Sequence, residues 1–169
     1  MKHRSYVTVA VILTAAAYSA VRAHQVTPPP LAGDWVLDSA TGTTRPEGLF
    51  LQVSQSPVEL TMAAQWTQSA DGRYGLTLTG LLAPEMRFSL DGREDLNQAG
   101  PFVIRSKTAW SGPSLVTTWR TTEYLGIAFE GRWVRSVSPD GQELTISIEG
   151  TSSNGQRANA VLKLRRFSV

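Results

Sequence analysis

Residues 140–148 read Asp-Gly-Gln-Glu-Leu-Thr-Ile-Ser-Ile. Leu144, Ile146 and Ile148 alternate with Glu143, Thr145 and Ser147, a period of two that puts apolar side chains on one face of an extended chain and polar ones on the other. The Asp140-Gly141 pair just ahead supplies the positive φ of a tight reversal. A strand with one dry face, entered from a short turn, is the unit of an antiparallel sheet laid over a core.

The same unit recurs along the chain. Phe102, Ile104 and Ser106 oppose Val103, Arg105 and Lys107, and Met86, Phe88 and Leu90 oppose Arg87 and Ser89. Val58, Leu60, Met62, Ala64 and Trp66 oppose Glu59, Thr61, Ala63 and Gln65, while Leu49, Leu51 and Val53 oppose Phe50 and Gln52. Turn signals stand between such runs at Asp71-Gly72, Asp91-Gly92, Ser111-Gly112-Pro113 and Asn154-Gly155. No amphipathic helical period is sustained over ten or more residues (~three turns), so the chain is predicted to be all-β. Strands joined by short links pair with their sequence neighbours, and a meander of about ten of them removes its two edges by closing into an up-and-down antiparallel β-barrel. A two-sheet sandwich is the alternative; it needs long crossovers, and the longest links here run to about nine residues.

Composition sets the outer bounds. The chain has 169 residues, 41% of them hydrophobic and 18% charged, as expected of one globular domain. It has no Cys, which excludes disulfides, thiolate metal sites, a cysteine nucleophile and a lipid-modified N-terminal Cys. Lys2, His3 and Arg4 precede an apolar run from Tyr6 to Val21, and Val21-Arg22-Ala23 offers small residues at the positions a signal peptidase reads. Residues 1–23 are therefore predicted to be a signal peptide cleaved after Ala23, the protein to be exported to the periplasm or the medium, and no membrane span to remain. Residues 24–31, with Pro28-Pro29-Pro30, read as an extended lead-in, and 32–169 as the barrel.

Without the leader the chain carries 13 basic and 14 acidic residues, net −1, and no Lys/Arg cluster, so no nucleic-acid footprint is present. Residues 24–99 hold four Arg against nine acids and residues 100–169 nine Lys/Arg against five, an imbalance that reads as solvated outer faces or as a cavity polarised toward an anion.

The stretch Leu31 to Asp38, LAGDWVLD, resembles the Gly-x-Trp opening of lipocalin-like (calycin) barrels, and more particularly a group of secreted bacterial lipocalin-like domains of largely unknown function. Ser89-Leu90-Asp91-Gly92, Trp110-Ser111-Gly112 with Leu115, and Arg132-Trp133 through Ser138-Pro139-Asp140-Gly141 to Leu144 match the later motifs of that group in order. The chain departs from the pattern at Arg135, where an apolar residue is expected two places after Trp133. The resemblance implies a barrel with an internal cavity and, as in lipocalins, a late Arg packed across the opening Trp: here Arg165 or Arg166 on Trp35.

That contact requires antiparallel first and last strands and so an even strand count. A short strand at 93–97 would make eleven, and it is set aside. Links at 39–47, 67–73, 93–101 and 150–158 then fall at one end, a mouth, and the tighter turns at 55–57, 111–113 and 139–142 at the other, a floor. Trp35, Trp110, Trp133, Arg135 and Arg166 fall at the floor and read as structural. Trp66, Tyr74, Phe102, Trp119, Tyr124 and Phe129 lie toward the mouth, where they either line a ligand cavity or fill the barrel.

Catalysis finds little footing, and no catalytic residue, metal site or cofactor is assigned. His3 and His24 are the only histidines, so no imidazole base is available inside the barrel and haem ligation would fall to Tyr or Met. His24 at a processed N-terminus lacks the second His of a copper brace. Glu94-Asp95 and Glu123, read as near the mouth, are the remaining acid–base candidates and fit solvated turns. The reading is an exported binding protein for a small, largely apolar ligand. A filled-barrel interaction module, with an outer apolar patch around Phe50 and Val134, is the alternative, and a carboxylate-based enzyme comes third.

Overall fold

In the computed structural model the described residues are 30–42, 46, 48–67 and 85–168, with Trp66 and Thr67 described by backbone alone. They form ten strands: β1 (Gly33–Gly42), β2 (Gly48–Gln55), β3 (Glu59–Thr67), β4 (Glu85–Ser89), β5 (Asp91–Ala99), β6 (Phe102–Ser111), β7 (Ser114–Thr121), β8 (Phe129–Val137), β9 (Glu143–Ser152) and β10 (Arg157–Arg166). One sheet holds them all in the order β4-β3-β2-β1-β10-β9-β8-β7-β6-β5. Apart from β4 and β5, each strand pairs antiparallel with its sequence neighbour, and β1 pairs antiparallel with β10. This is an up-and-down all-β barrel, closed except for the seam between β4 and β5.

The seam is bridged by side chains standing in for a ladder. Asn97 on β5 accepts from the Arg87 amide at 2.7 Å and donates to the Arg87 carbonyl at 2.9 Å. Asp95 accepts from the Ser89 amide at 2.5 Å and from its hydroxyl at 2.7 Å. Side chains of β5 thereby satisfy backbone groups of β4 that an open edge would leave to water.

Ten strands are described, as expected, but β5 corrects which segments they are. The segment set aside at 93–97 is a strand, and the link read as 93–101 shrinks to the turn at Gly100-Pro101. Its alternation is hidden because its inward positions carry Asp95 and Asn97, which reach across the seam, while Leu96 points outward, 62% exposed. Residues 1–29, with the signal-peptide reading and His24, and residues 68–84, with Tyr74, lie outside the described residues.

The apolar phases expected of β2, β3, β4, β6 and β9 face one buried cluster that includes Leu51, Leu60, Phe88, Ile104, Trp133 and Ile146. Among the described side chains Val58 alone leaves its phase, at 63% exposed, because it sits in the turn before β3. At the floor, Trp35 is fully buried and donates its indole N–H to the Leu31 carbonyl at 2.9 Å. The Arg166 guanidinium lies 4.4 Å from the centre of the Trp35 ring, its Nη1 bonding the Ala32 carbonyl and its Nε the Gly141 carbonyl. Gly33 makes this possible, since a Cβ there would stand 2.4 Å from Arg166 Nη1. Leu31, the last residue of the predicted lead-in, is 1% exposed and belongs to this floor.

The candidate ligand site in the barrel interior

Inward positions on β6, β7 and β8 build one wall of the interior: Ser106 and Thr108, then Thr117 and Trp119, then Trp133 and Arg135, all buried. The registers place Ser106 opposite Trp119, Trp119 opposite Gly131, and Thr117 opposite Trp133. Trp119 and Trp133 lie with ring centroids 5.4 Å apart and planes tilted by 31°. Gly131 makes room: a Cβ there would stand 2.1 Å from the Glu149 carbonyl oxygen, 2.6 Å from the Trp119 ring and 2.9 Å from the Cα of Gly150. Gly131→Ala is therefore expected to cost about 1–3 kcal/mol by overpacking and to displace the Trp119 indole. Thermal unfolding with near-ultraviolet circular dichroism checks both, and an unaltered midpoint would contradict the packing.

Arg135 is fully buried at the lower end of this wall. Its Nη1 donates to the Thr117 hydroxyl at 2.8 Å, and that hydroxyl is 2.7 Å from the Thr108 hydroxyl. The guanidinium carbon lies 4.6 Å from the centre of the Phe88 ring and 5.2 Å from that of Trp133, so ring faces compensate part of its charge. No carboxylate among the described residues pairs with it. Its Nε and Nη2, the indole nitrogens of Trp119 and Trp133 and the hydroxyl of Ser106 are all buried without a partner among the described residues. Burial lowers the Arg135 pKa to about 9, which leaves it charged at neutral pH.

Of the six residues predicted to line a ligand site, Trp119 occupies this wall and Phe102, Tyr124 and Phe129 cluster above it at the mouth. Phe102 is 2% exposed and meets Tyr124 and Phe129 edge-to-face at 5.8 and 5.6 Å. Trp66 is opposite Leu49 near the upper end of β3. The residues missed are Trp133, Arg135 and Ser106. Trp133, expected at the floor, sits in mid-strand and joins Phe88 to Trp119. Arg135 carried a signal, being charged where the motif calls for an apolar residue.

The mouth also carries an exposed hairpin tip. Tyr124 and Ile127 exchange both backbone bonds across Leu125 and Gly126, whose φ values are 51° and 78°. This is a two-residue turn that favours Asn or Gly at the position of Leu125, which is 84% exposed. Leu125→Asn is expected to raise stability by about 1 kcal/mol, read from the denaturant midpoint; a loss of stability would assign Leu125 a packing role.

Glu94 and Asp95 do not lie at the mouth as expected, because β5 carries them within the body of the sheet. Glu94 pairs on the outer surface with Arg105 at 3.0 Å and Arg120 at 4.0 Å, and Asp95 is engaged at the seam. A hollow of about 610 Å³ on the outer surface over Gly131 and Gly150 is rimmed by these pairs with Glu130, Arg132 and Glu149. Its charges are solvated and mixed in sign, so it contributes little binding energy.

No family model matches the chain, and no curated protein resembles it. Among solved structures it resembles a secretory abundant heat soluble (SAHS) protein from Ramazzottius varieornatus, with a TM-score of 0.52 and 11% identity over 85% of this chain and 98% of that one. SAHS protein 4 from the same organism aligns with a TM-score of 0.49 and 12% identity over 85% and 99% of the two chains. At such identity the first likeness is one of fold: an up-and-down β-barrel.

Proposed function

We propose that this protein is a binding barrel that holds a small, largely apolar molecule in its interior, with a polar end turned toward Arg135. The observation that carries this is the set of buried, partnerless donors on the wall from Ser106 to Arg135. A barrel filled only by its own side chains keeps those groups dehydrated with nothing in return, at about 1–3 kcal/mol for each neutral one. A ligand with acceptor oxygens removes that cost, and the aromatic surfaces of Trp119, Trp133, Phe102 and Phe129 suit an apolar body. Export is part of the proposal, supported by the signal-peptide pattern of residues 1–23 and by the secretory name of a protein of like fold.

Native mass spectrometry of the protein purified from the cells that make it, with titration by the neutral dye N-phenyl-1-naphthylamine, tests the reading. A co-purifying small molecule, or saturable dye binding at one site per chain, is the expected result. A bare protein mass together with no dye uptake would sink it in favour of an interaction module.

A further inference from the structure

Resting on that reading, we propose that the ligand is a monoanion, an otherwise apolar molecule whose single carboxylate or similarly oxygen-bearing head is received by the Nε–Nη2 edge of Arg135. The two unpartnered nitrogens are the ones that matter. In a planar guanidinium, Nε–H and Nη2–H lie side by side on one edge, the fork that two oxygens of an anion accept in parallel. The third nitrogen, Nη1, is already committed to Thr117, whose hydroxyl meets Thr108, so the fork is held in orientation by a chain of buried hydrogen bonds. Phe88 and Trp133 lie against the guanidinium, their ring centres 4.6 and 5.2 Å from its carbon, and neither offers an acceptor to the Nε–Nη2 edge.

Charge separates an anion from a neutral acceptor. A buried cation without a counter-ion is costly, and a carbonyl or hydroxyl would satisfy its N–H groups while leaving the charge uncompensated. One guanidinium calls for one negative charge. On the same wall the buried indole N–H groups of Trp133 and Trp119 are likewise without a partner among the described residues, and their rings lie 5.4 Å apart. From Arg135 to Phe129 at the upper end of β8 the wall runs about 20 Å, at roughly 3.3 Å per residue. The head therefore sits low in the barrel and the apolar body points to the mouth.

The test compares two dyes of one skeleton, 8-anilinonaphthalene-1-sulfonate and neutral N-phenyl-1-naphthylamine, on the full chain and on Arg135→Met, Arg135→Lys and Arg132→Gln. The wild type is expected to bind the sulfonate about tenfold or more tighter than the neutral dye, by the value of a charge-assisted pair. Arg135→Met is expected to abolish that preference while keeping the neutral dye, and Arg135→Lys, which keeps the charge without the fork, to fall between. Arg132→Gln, on the outer surface, is expected to change neither affinity. Equal wild-type affinities, equal losses of both dyes in Arg135→Met, or loss of the preference in Arg132→Gln would overturn the anion site and leave the binding barrel standing. Failure of the wild type to bind either dye would overturn both.

Discussion

Trp35→Ala is expected to destabilise the protein by about 3–5 kcal/mol, the range for emptying a buried tryptophan site that cannot collapse. The site has little freedom to close. Trp35 is paired on one side with Arg166 of β10 and on the other with Leu51 of β2, where the first and last strands seal the barrel. Its indole anchors the Leu31 carbonyl, and Arg166 spans from the ring to the Ala32 and Gly141 carbonyls. Removing the ring thus opens a void beneath a guanidinium that is itself part-buried, and loosens the turn at 138–142. Equilibrium denaturation measures the loss; a value under about 1 kcal/mol would mean that Trp35 does not hold the floor.

Arg135→Met runs the other way. In the ligand-free protein it is expected to raise stability by about 1–4 kcal/mol, because a methionine of similar length keeps the contacts with Phe88 and Trp133 while removing a desolvated charge. The Thr108–Thr117 hydrogen bond survives the change. Linkage gives the pH dependence: burial lowers the Arg135 pKa to about 9, well below the ordinary guanidinium range, so the unfolded chain holds the proton more tightly than the folded one. The penalty is fully present below about pH 9 and fades as pH rises above it toward the ordinary guanidinium range, so the gap between variant and wild type is widest at neutral pH and narrows in alkali. Denaturant midpoints at pH 7 and pH 10 (about neutral and about one unit above the folded pKa) measure this, and a variant less stable than wild type at pH 7 would show Arg135 to be a structural residue. A group that costs stability where an apolar one would serve is the usual mark of a binding site.

Alternation and turn chemistry made most of the barrel legible in the sequence. Leu144, Ile146 and Ile148 face the core as their period requires, and the floor contact between Trp35 and a terminal arginine follows from antiparallel first and last strands, with Arg166 as the partner. What escaped was set by side chains that serve the backbone or the interior instead of the apolar pattern. Strand β5 hides its period because Asp95 and Asn97 occupy inward positions to bridge the seam, and with it Glu94 and Asp95 were displaced toward the mouth. The inward placement of Trp119 and Phe102 was legible from alternation, which by itself leaves open whether they line a cavity or fill the barrel. Arg135 was not, since an arginine is ordinarily a surface residue; only its break with the expected apolar position marked it. Its unpaired nitrogens become visible when β7 and β8 bring Thr117, Trp119, Trp133 and Arg135 onto one wall.

The five tryptophans allow the interior site to be watched directly, because their indole N–H groups differ in what they bond. Trp35 donates to the Leu31 carbonyl, whereas those of Trp119 and Trp133 are buried without a partner among the described residues. The decisive measurement is the ¹H–¹⁵N spectrum of the indoles during titration with 8-anilinonaphthalene-1-sulfonate, assigned by single Trp→Phe variants. Occupation of the barrel interior shifts the Trp119 and Trp133 signals along a saturating curve and leaves Trp35 in place. Saturation of the dye with Trp119 and Trp133 unmoved would put the ligand outside the barrel and contradict the account.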